Sequence, residues 1–425
     1  MKGVGAIAGL AASLCLAATR AGAQIVDPTA AAPPAPAPTS APAPAATQAK
    51  PPAPLFTFTG AYTADLLSDV DGGKATGTRY IDLLKLSAAF DGGAAGRPGF
   101  TALVSLEHSN GTSISNELIG DSQAVTNIEA TPQAFRLYEA WVREEFAGGA
   151  LAAKAGFIDL NTTFDVQETA ALFLNASDGV GGELGDTGLN GPSIFPTPAL
   201  AVTGAWRPAE GWTAQLGVFD GVAGDPTNRG RFVAVEISPA YGALVIAQVE
   251  RRFGKALRLE AGAWTYTADF PALDDFQPDG APRKIGGDGG VYGLAEGRLL
   301  AKGKSDDGGL AGWVRIGAAN GEINKIADYV GAGLVYTGPL AGRDKDQAGV
   351  AINRAGFGAP ARAVAAREGS VLAAAETTFE ATYRCVVTDW LSIQPDVQYV
   401  VHPGGDLALT NALVIGVRLA FSASR

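Results

Sequence analysis

From about residue 56 to its C-terminus the chain is a succession of stretches, each about ten residues long, in which apolar and polar side chains alternate, broken by Gly, Pro, Asp and Asn. The clearest is Glu376 to Val387. Phe379, Ala381, Tyr383, Cys385 and Val387 are apolar there, and Glu376, Thr378, Glu380, Thr382 and Arg384 are polar. Successive side chains on a strand point to opposite faces, so one face of this segment is greasy and the other charged. The same pattern recurs in Leu391 to His402, Trp212 to Phe219, Phe100 to Ser109 and Leu257 to Tyr266. In the last of these, Leu257, Leu259, Ala261 and Ala263 oppose Arg258, Glu260, Trp264 and Tyr266. A period of two sustained over this length predicts an all-β chain. Beyond the first two dozen residues no stretch reaches the roughly 18–20 apolar residues of a membrane helix.

Alternation alone fits a soluble sandwich as well as a barrel. Two further features favour a transmembrane antiparallel β-barrel. Tight turns at Phe146-Ala147-Gly148-Gly149, Arg207-Pro208-Ala209-Glu210-Gly211 and Val387-Thr388-Asp389-Trp390 alternate with long connections, the longest from Asn161 to Pro198. Short periplasmic turns and long extracellular loops are the habit of outer-membrane barrels. Trp206, Trp212 and Trp390 also sit at or beside short turns, where an aromatic girdle meets the membrane interface. Seventeen strand candidates conflict with the even count of a bacterial single-chain barrel. The tight turn Phe253-Gly254-Lys255 makes Ala243 to Arg252 run inward, which leaves Arg231 to Ser238 in an external loop and the count at sixteen.

The N-terminus reads as an address. Lys2, an apolar run from Val4 to Ala18 and the small residues Ala21-Gly22-Ala23 predict a secretory signal over residues 1–23, cleaved before Gln24. Cys15 lies inside it behind Leu14, where a lipoprotein signal wants a small residue. Residues 24–54 form a Pro/Ala-rich periplasmic linker, since the stretch from Asp27 carries ten of the 25 prolines and little that packs. Residues 55–425 are left for the barrel.

Composition removes other classes. A net charge of -11 without any basic run excludes a nucleic-acid binder. Two His and two Cys, far apart, assemble neither a zinc cluster nor a disulfide framework, so no cofactor or metal is expected. The enzyme rival is a barrel hydrolase. His108 shares the lipid-facing parity of Val104 and Leu106, His402 lies at a strand end, and no serine-nucleophile motif accompanies either, so the chain reads as no enzyme.

Several ordered blocks carry a resemblance: Gly77-Thr78-Arg79-Tyr80, Asn116-Glu117-Leu118-Ile119-Gly120-Asp121, Phe135-Arg136-Leu137-Tyr138-Glu139-Ala140-Trp141, Leu172-Phe173-Leu174-Asn175-Ala176-Ser177, Gly217-Val218-Phe219-Asp220-Gly221, Gly333-Leu334-Val335-Tyr336-Thr337-Gly338 and Ser392-Ile393-Gln394-Pro395-Asp396-Val397-Gln398-Tyr399. In this order, over roughly Phe56 to Phe421, the chain resembles the carbohydrate-selective outer-membrane porins of the OprB type. The resemblance implies a sixteen-stranded channel in the outer membrane of a Gram-negative bacterium, admitting monosaccharides, glucose above all, by diffusion. One departure is the end of the chain, where Ser422-Ala423-Ser424-Arg425 follows Phe421 in place of a terminal aromatic residue.

A sugar is neutral and hydroxylated, so its passage needs side chains that between them donate and accept hydrogen bonds, and ring faces for its C–H surfaces. Strand parity puts Arg79, Glu107, Glu139, Arg143, Arg258, Glu260, Trp264, Tyr266, Glu380, Arg384, Asp396 and Arg418 on the inner face as lumen candidates. The bland alternative for each charge is a partner that merely satisfies the wall. The loop Asn161 to Pro198 carries Asp165, Glu168, Asp178, Glu183 and Asp186 with no Lys or Arg, and it either folds inward as an acidic constriction or stays outside as a lid. The expected partners are small neutral sugars, with outer-membrane lipid and lipopolysaccharide around the wall and no nucleic acid. A homo-oligomer remains open, as does a general, non-selective or ion-tuned porin.

Overall fold

The computed structural model describes residues 54–303 and 308–425. The expected signal peptide and all of the expected linker but Pro54 lie outside the described residues. Eighteen strands follow one another: β1 (Phe56–Gly73), β2 (Gly77–Asp91), β3 (Phe100–Gly111), β4 (Phe135–Phe146), β5 (Leu151–Ile158), β6 (Ala199–Trp206), β7 (Trp212–Asp220), β8 (Ala243–Phe253), β9 (Leu257–Tyr266), β10 (Asp269–Phe276), β11 (Pro282–Gly286), β12 (Gly289–Ala301), β13 (Gly309–Ala319), β14 (Ile326–Thr337), β15 (Gln347–Phe357), β16 (Ala375–Thr388), β17 (Leu391–Val401) and β18 (Thr410–Ser424). Sixteen of them close an antiparallel barrel in which each pairs with its neighbour in sequence, β9 skipping to β12 and β1 closing on β18. β10 and β11 form a separate two-stranded hairpin within the β9–β12 connection. Residues 221–242 form a loop, as the even count requires.

Closure leaves no free sheet edge, which is the condition for a sheet to sit in hydrocarbon. The seam is continuous from Thr59↔Ser424 to Asp69↔Val414, and Arg425 extends it by exchanging backbone hydrogen bonds with Phe58. The residues after Phe421 therefore prolong the last strand. Phe421 itself stacks on Trp390 at the short-turn end, and Trp206, Trp212 and Trp390 are all exposed there.

The parity read from β9 holds in space. Arg258, Glu260, Trp264 and Tyr266 are buried inside, while Leu257, Leu259 and Ala261 face outward. On β3, Ser105, Glu107 and Ser109 are inside and Val104, Leu106 and His108 outside. β4 breaks parity at one irregularity against Ser105 and Leu106, which turns Arg136, Tyr138 and Glu139 all inward. A bulge places two residues opposite one and re-aims the side chains beyond it.

The barrel interior is filled by chain. Phe164, Val180 and Leu184 of the loop 159–198 pack with Ile158, Phe219, Leu244, Ile246, Trp264, Tyr266 and Tyr292 of the wall. Further along the same loop, Ala170, Leu172 and Phe173 pack on Trp313, Val335 and Ala351. From the loop 112–134, Ile114, Leu118, Ile119 and Val125 pack with Leu67, Ile81, Val400 and Val414. The inner face is thus mixed: apolar patches mark where loops dock, and burying them against the loops contributes on the order of 25 cal/mol per Å².

Candidate functional site

The loop 159–198 folds inward, and its most deeply buried anchor on the wall is an arginine. Arg315 on β13 carries no solvent exposure, nor do its partners Asp165 and Glu183. Its Nε and Nη2 donate to the two oxygens of Asp165 at 2.8 and 2.7 Å, and its Nη1 and Nη2 donate to those of Glu183 at 2.9 and 2.7 Å. Two carboxylates thus hold one guanidinium by two forks, the geometry that makes Arg the residue of choice for such pairs. The rings of Tyr292 and Tyr329 lie 5.4 and 5.2 Å from the guanidinium carbon. The pair also needs two glycines: a Cβ on Gly181 would lie 1.8 Å from Arg315 Nη1, and one on Gly317 would lie 1.9 Å from Glu183 Oε1.

Elsewhere the wall holds loops by a repeated device, a carboxylate accepting two successive backbone N–H groups. Glu296 accepts from Glu168 and Thr169, Glu380 from Leu174 and Asn175, and Glu376 from Ser122 and Gln123. Each satisfies donors that would otherwise be buried without partners in a non-helical segment. Gln398 and Gln248 add neutral anchors at Val125 O and Asp165 N.

All twelve lumen candidates lie on the inner face, and most are already engaged. Arg258 binds Glu250, Glu260 and Glu296 and donates to Val166 O of the loop. Arg418 forks Asp65 at 2.7 Å and also reaches Asn127. Lys154 lies 3.8 Å from Glu139, Lys85 pairs with Glu107, Arg143 with Glu145 and Arg79 with Glu117. Asp396 accepts from Gln398. Trp264 and Tyr266 point inward but are only 3% and 1% exposed, so neither offers an open ring face. Among the described residues, the hydrogen-bond partner of Arg384 is the amide oxygen of Gln347.

Arg315 and Glu296 were not among the sequence candidates. The signal for Arg315 was weak, because β13 reads Gly-Leu-Ala-Gly-Trp-Val-Arg-Ile-Gly-Ala-Ala and carries no other charge. Parity with Trp313 marks it as inward only once the strand's outer residues, Val314 and Ile316, are taken as lipid-facing.

On the long-loop side the two inward loops leave a cavity of about 400 Å³, lined among others by Gln123, Asn127, Glu129, Asp159, Asn161, Ser177, Asp186 and Phe195. That volume lies within the roughly 300–1,000 Å³ of small-molecule sites. Its acids are mostly occupied. Glu129 accepts from the hydroxyl of Ser113 and from the N–H groups of Ile114 and Ser115. Asp159 accepts from the Tyr138 hydroxyl and from Asn161 N, and burial pushes its carboxyl up to about 6. On the short-turn side, hydrogen bonds from Arg252 hold the Glu168 carboxyl below its usual range.

Comparison with known proteins agrees with this architecture. The family described as "Carbohydrate-selective porin, OprB family" matches residues 75–422. Porin B of Pseudomonas aeruginosa is 26% identical over 409 residues, covering 86% of this chain and 87% of that protein. The high-pH structure of Pseudomonas putida OprB superposes with a TM-score of 0.78 at 21% identity, over 87% of this chain and 94% of that one. The outer-membrane channel DcaP of Acinetobacter baumannii has the same general fold, with a TM-score of 0.52 at 9% identity over 87% of this chain and 97% of that one.

Proposed function

The chain belongs to the OprB family of carbohydrate-selective porins, barrels of the Gram-negative outer membrane, and on that premise we propose that it passes monosaccharides, glucose among them, by passive diffusion. The observation that carries this reading is the pairing of charge around the lumen. Arg258, Arg315 and Arg418 are matched to carboxylates, and beside the carboxylates of Glu129, Asp159 and Asp186 the upper cavity is lined by neutral groups: the amides of Gln123, Asn127 and Asn161, hydroxyls such as that of Ser177, and the ring of Phe195. Such a lining suits a hydroxylated neutral solute, whose donors and acceptors it matches.

In this reading Glu139, Arg258, Glu260, Glu380, Asp396 and Arg418 act at one remove. Arg258, Glu380 and Arg418 hold the loops whose backbone and amide groups meet the sugar, and Glu139, Glu260 and Asp396 bond wall residues beside them. Outside the wall, the apolar belt meets lipid acyl chains, and the long loops meet lipopolysaccharide.

The test is swelling of liposomes containing the purified protein in glucose, in a trisaccharide and in salts of glucose-like hydrated size. Glucose entering faster than such ions, and the trisaccharide much slower, is the expected result. Entry ranked by size alone, with ions and sugars on one curve, would make the channel a general porin.

A further inference from the structure

We propose that the cavity between the loop 159–198 and strands β13 to β16 is a subsite for carboxylated sugars in which Arg384 takes the carboxylate. It rests on the reading of the channel as a sugar passage and extends that reading to a second, anionic substrate class.

The cavity has a volume of about 240 Å³ and its lining includes Arg384, Gln347, Thr337, Thr169, Leu172 and Glu168. Arg384 differs from the paired arginines of the inner wall. Arg79, Arg143, Arg252, Arg258, Arg315 and Arg418 each meet a carboxylate. Arg384 Nη2 donates to the side-chain oxygen of Gln347, and its buried Nε has no hydrogen-bond partner among the described residues. Arg136 also lacks a carboxylate within bonding distance and its buried Nε is likewise without a partner among the described residues, but its Nη2 donates to the carbonyls of Pro132 and Arg229. The Glu168 carboxylate is engaged by both terminal nitrogens of Arg252.

A half-buried guanidinium without a counter-charge is costly. Glu168 is the carboxylate of this lining and is taken up by Arg252, so among the described residues no carboxylate lies within bonding distance of Arg384. A ligand carboxylate supplies the missing charge in a charge-assisted bond. The Gln347 amide nitrogen donates to the Thr337 hydroxyl at 3.1 Å, which fixes its oxygen toward Arg384. Thr169 and Thr337 then offer hydroxyls to the polyol, and Leu172 and Val335 an apolar surface to its C–H groups.

The experiment is block of single-channel chloride current in planar bilayers by gluconate and, separately, by glucose, for the wild-type protein, Arg384→Gln and Gln347→Glu. Gln347→Glu is nearly isosteric and gives Arg384 an internal carboxylate, so it keeps the argument testable if Arg384→Gln does not assemble. Wild-type channels are expected to be blocked by gluconate at about tenfold lower concentration than by glucose, the factor of one charge-assisted hydrogen bond, and both variants to lose that difference. Equal block by the two solutes in the wild type, or a gluconate preference that survives in Gln347→Glu, would overturn the subsite. Failure of glucose to enter liposomes would instead remove the monosaccharide reading, and gluconate block is read independently of it.

Discussion

Arg315 and Asp165 stand 150 positions apart in the sequence and meet by two parallel hydrogen bonds of 2.8 and 2.7 Å, with neither side chain exposed to solvent. Together with Glu183 this contact ties a forty-residue connection to the far wall of the barrel. Removing one partner of a buried pair is far more damaging than the net worth of the pair, because the orphaned charge stays buried or drags its segment out. Arg315→Met strands two carboxylates, and we expect a loss of about 3–5 kcal/mol in the docking of the loop. Single-channel conductance should rise as the loop leaves the lumen, and glucose should lose its advantage over ions. Gly317→Ala should reproduce this with no change of charge, because its methyl group would fall on Glu183 Oε1.

Glu296 accepts two backbone N–H groups and also holds Arg258 at 2.6 Å. Glu296→Gln keeps one acceptor oxygen and turns a donor toward the other partner. A cost of about 1–3 kcal/mol is expected for the unsatisfied group. Hydrogen exchange should quicken at Glu168 and Thr169 while the amides of β12 and β13 stay protected.

Trp264→Ala removes a large side chain from the cluster beneath the loop, and a loss of about 3–5 kcal/mol follows from the cavity it leaves. Leu259→Ala, two strand positions away from Ala261 on the outer face, meets lipid and should change stability little. Thermal unfolding in detergent separates the two. Equal shifts would mean that the strand faces are misassigned.

Asp159 gives a pH signature. With its carboxyl raised to about 6 by burial, it is ionised at pH 7 and protonated by pH 5. The folded chain then binds more protons than the unfolded one between about pH 4 and pH 6, so this group's stabilising contribution is complete below pH 4 and is lost as pH rises through 6. Acidification from pH 7 to pH 5 also removes a negative charge from the upper cavity, which should lower cation preference in reversal-potential measurements. Asp159→Asn should abolish that part of the pH dependence.

Much of the barrel was legible because a period of two is enforced residue by residue: lipid on one face admits no charge, so Leu257, Leu259 and Ala261 declare the face on which Arg258, Glu260 and Trp264 lie. Turns were legible for a similar reason, since Phe146-Ala147-Gly148-Gly149 can only reverse the chain. The assignments within the lumen were not. Whether Trp264 stands open or is buried in one cluster with Phe164 depends on where a forty-residue loop settles, and that is set by partners such as Arg315 whose distance in sequence leaves no local trace. The β4 irregularity that turns both Tyr138 and Glu139 inward is equally silent, because either parity of that strand has apolar and charged members on both faces.

If the loop 159–198 lies in the lumen against the wall and forms the sugar-selecting passage, a disulfide between loop and wall will form in the assembled channel and leave its selectivity intact. A Cβ on Gly182 would lie 3.9 Å from that of Ala355 on β15, the separation a disulfide requires. In a Cys385→Ala background, Gly182→Cys with Ala355→Cys should cross-link on mild oxidation of the assembled protein, and the oxidised channel should keep the wild-type ratio of glucose to chloride permeation. Failure to cross-link in folded protein, or a cross-link that abolishes the preference for glucose while the channel still conducts, would contradict the account.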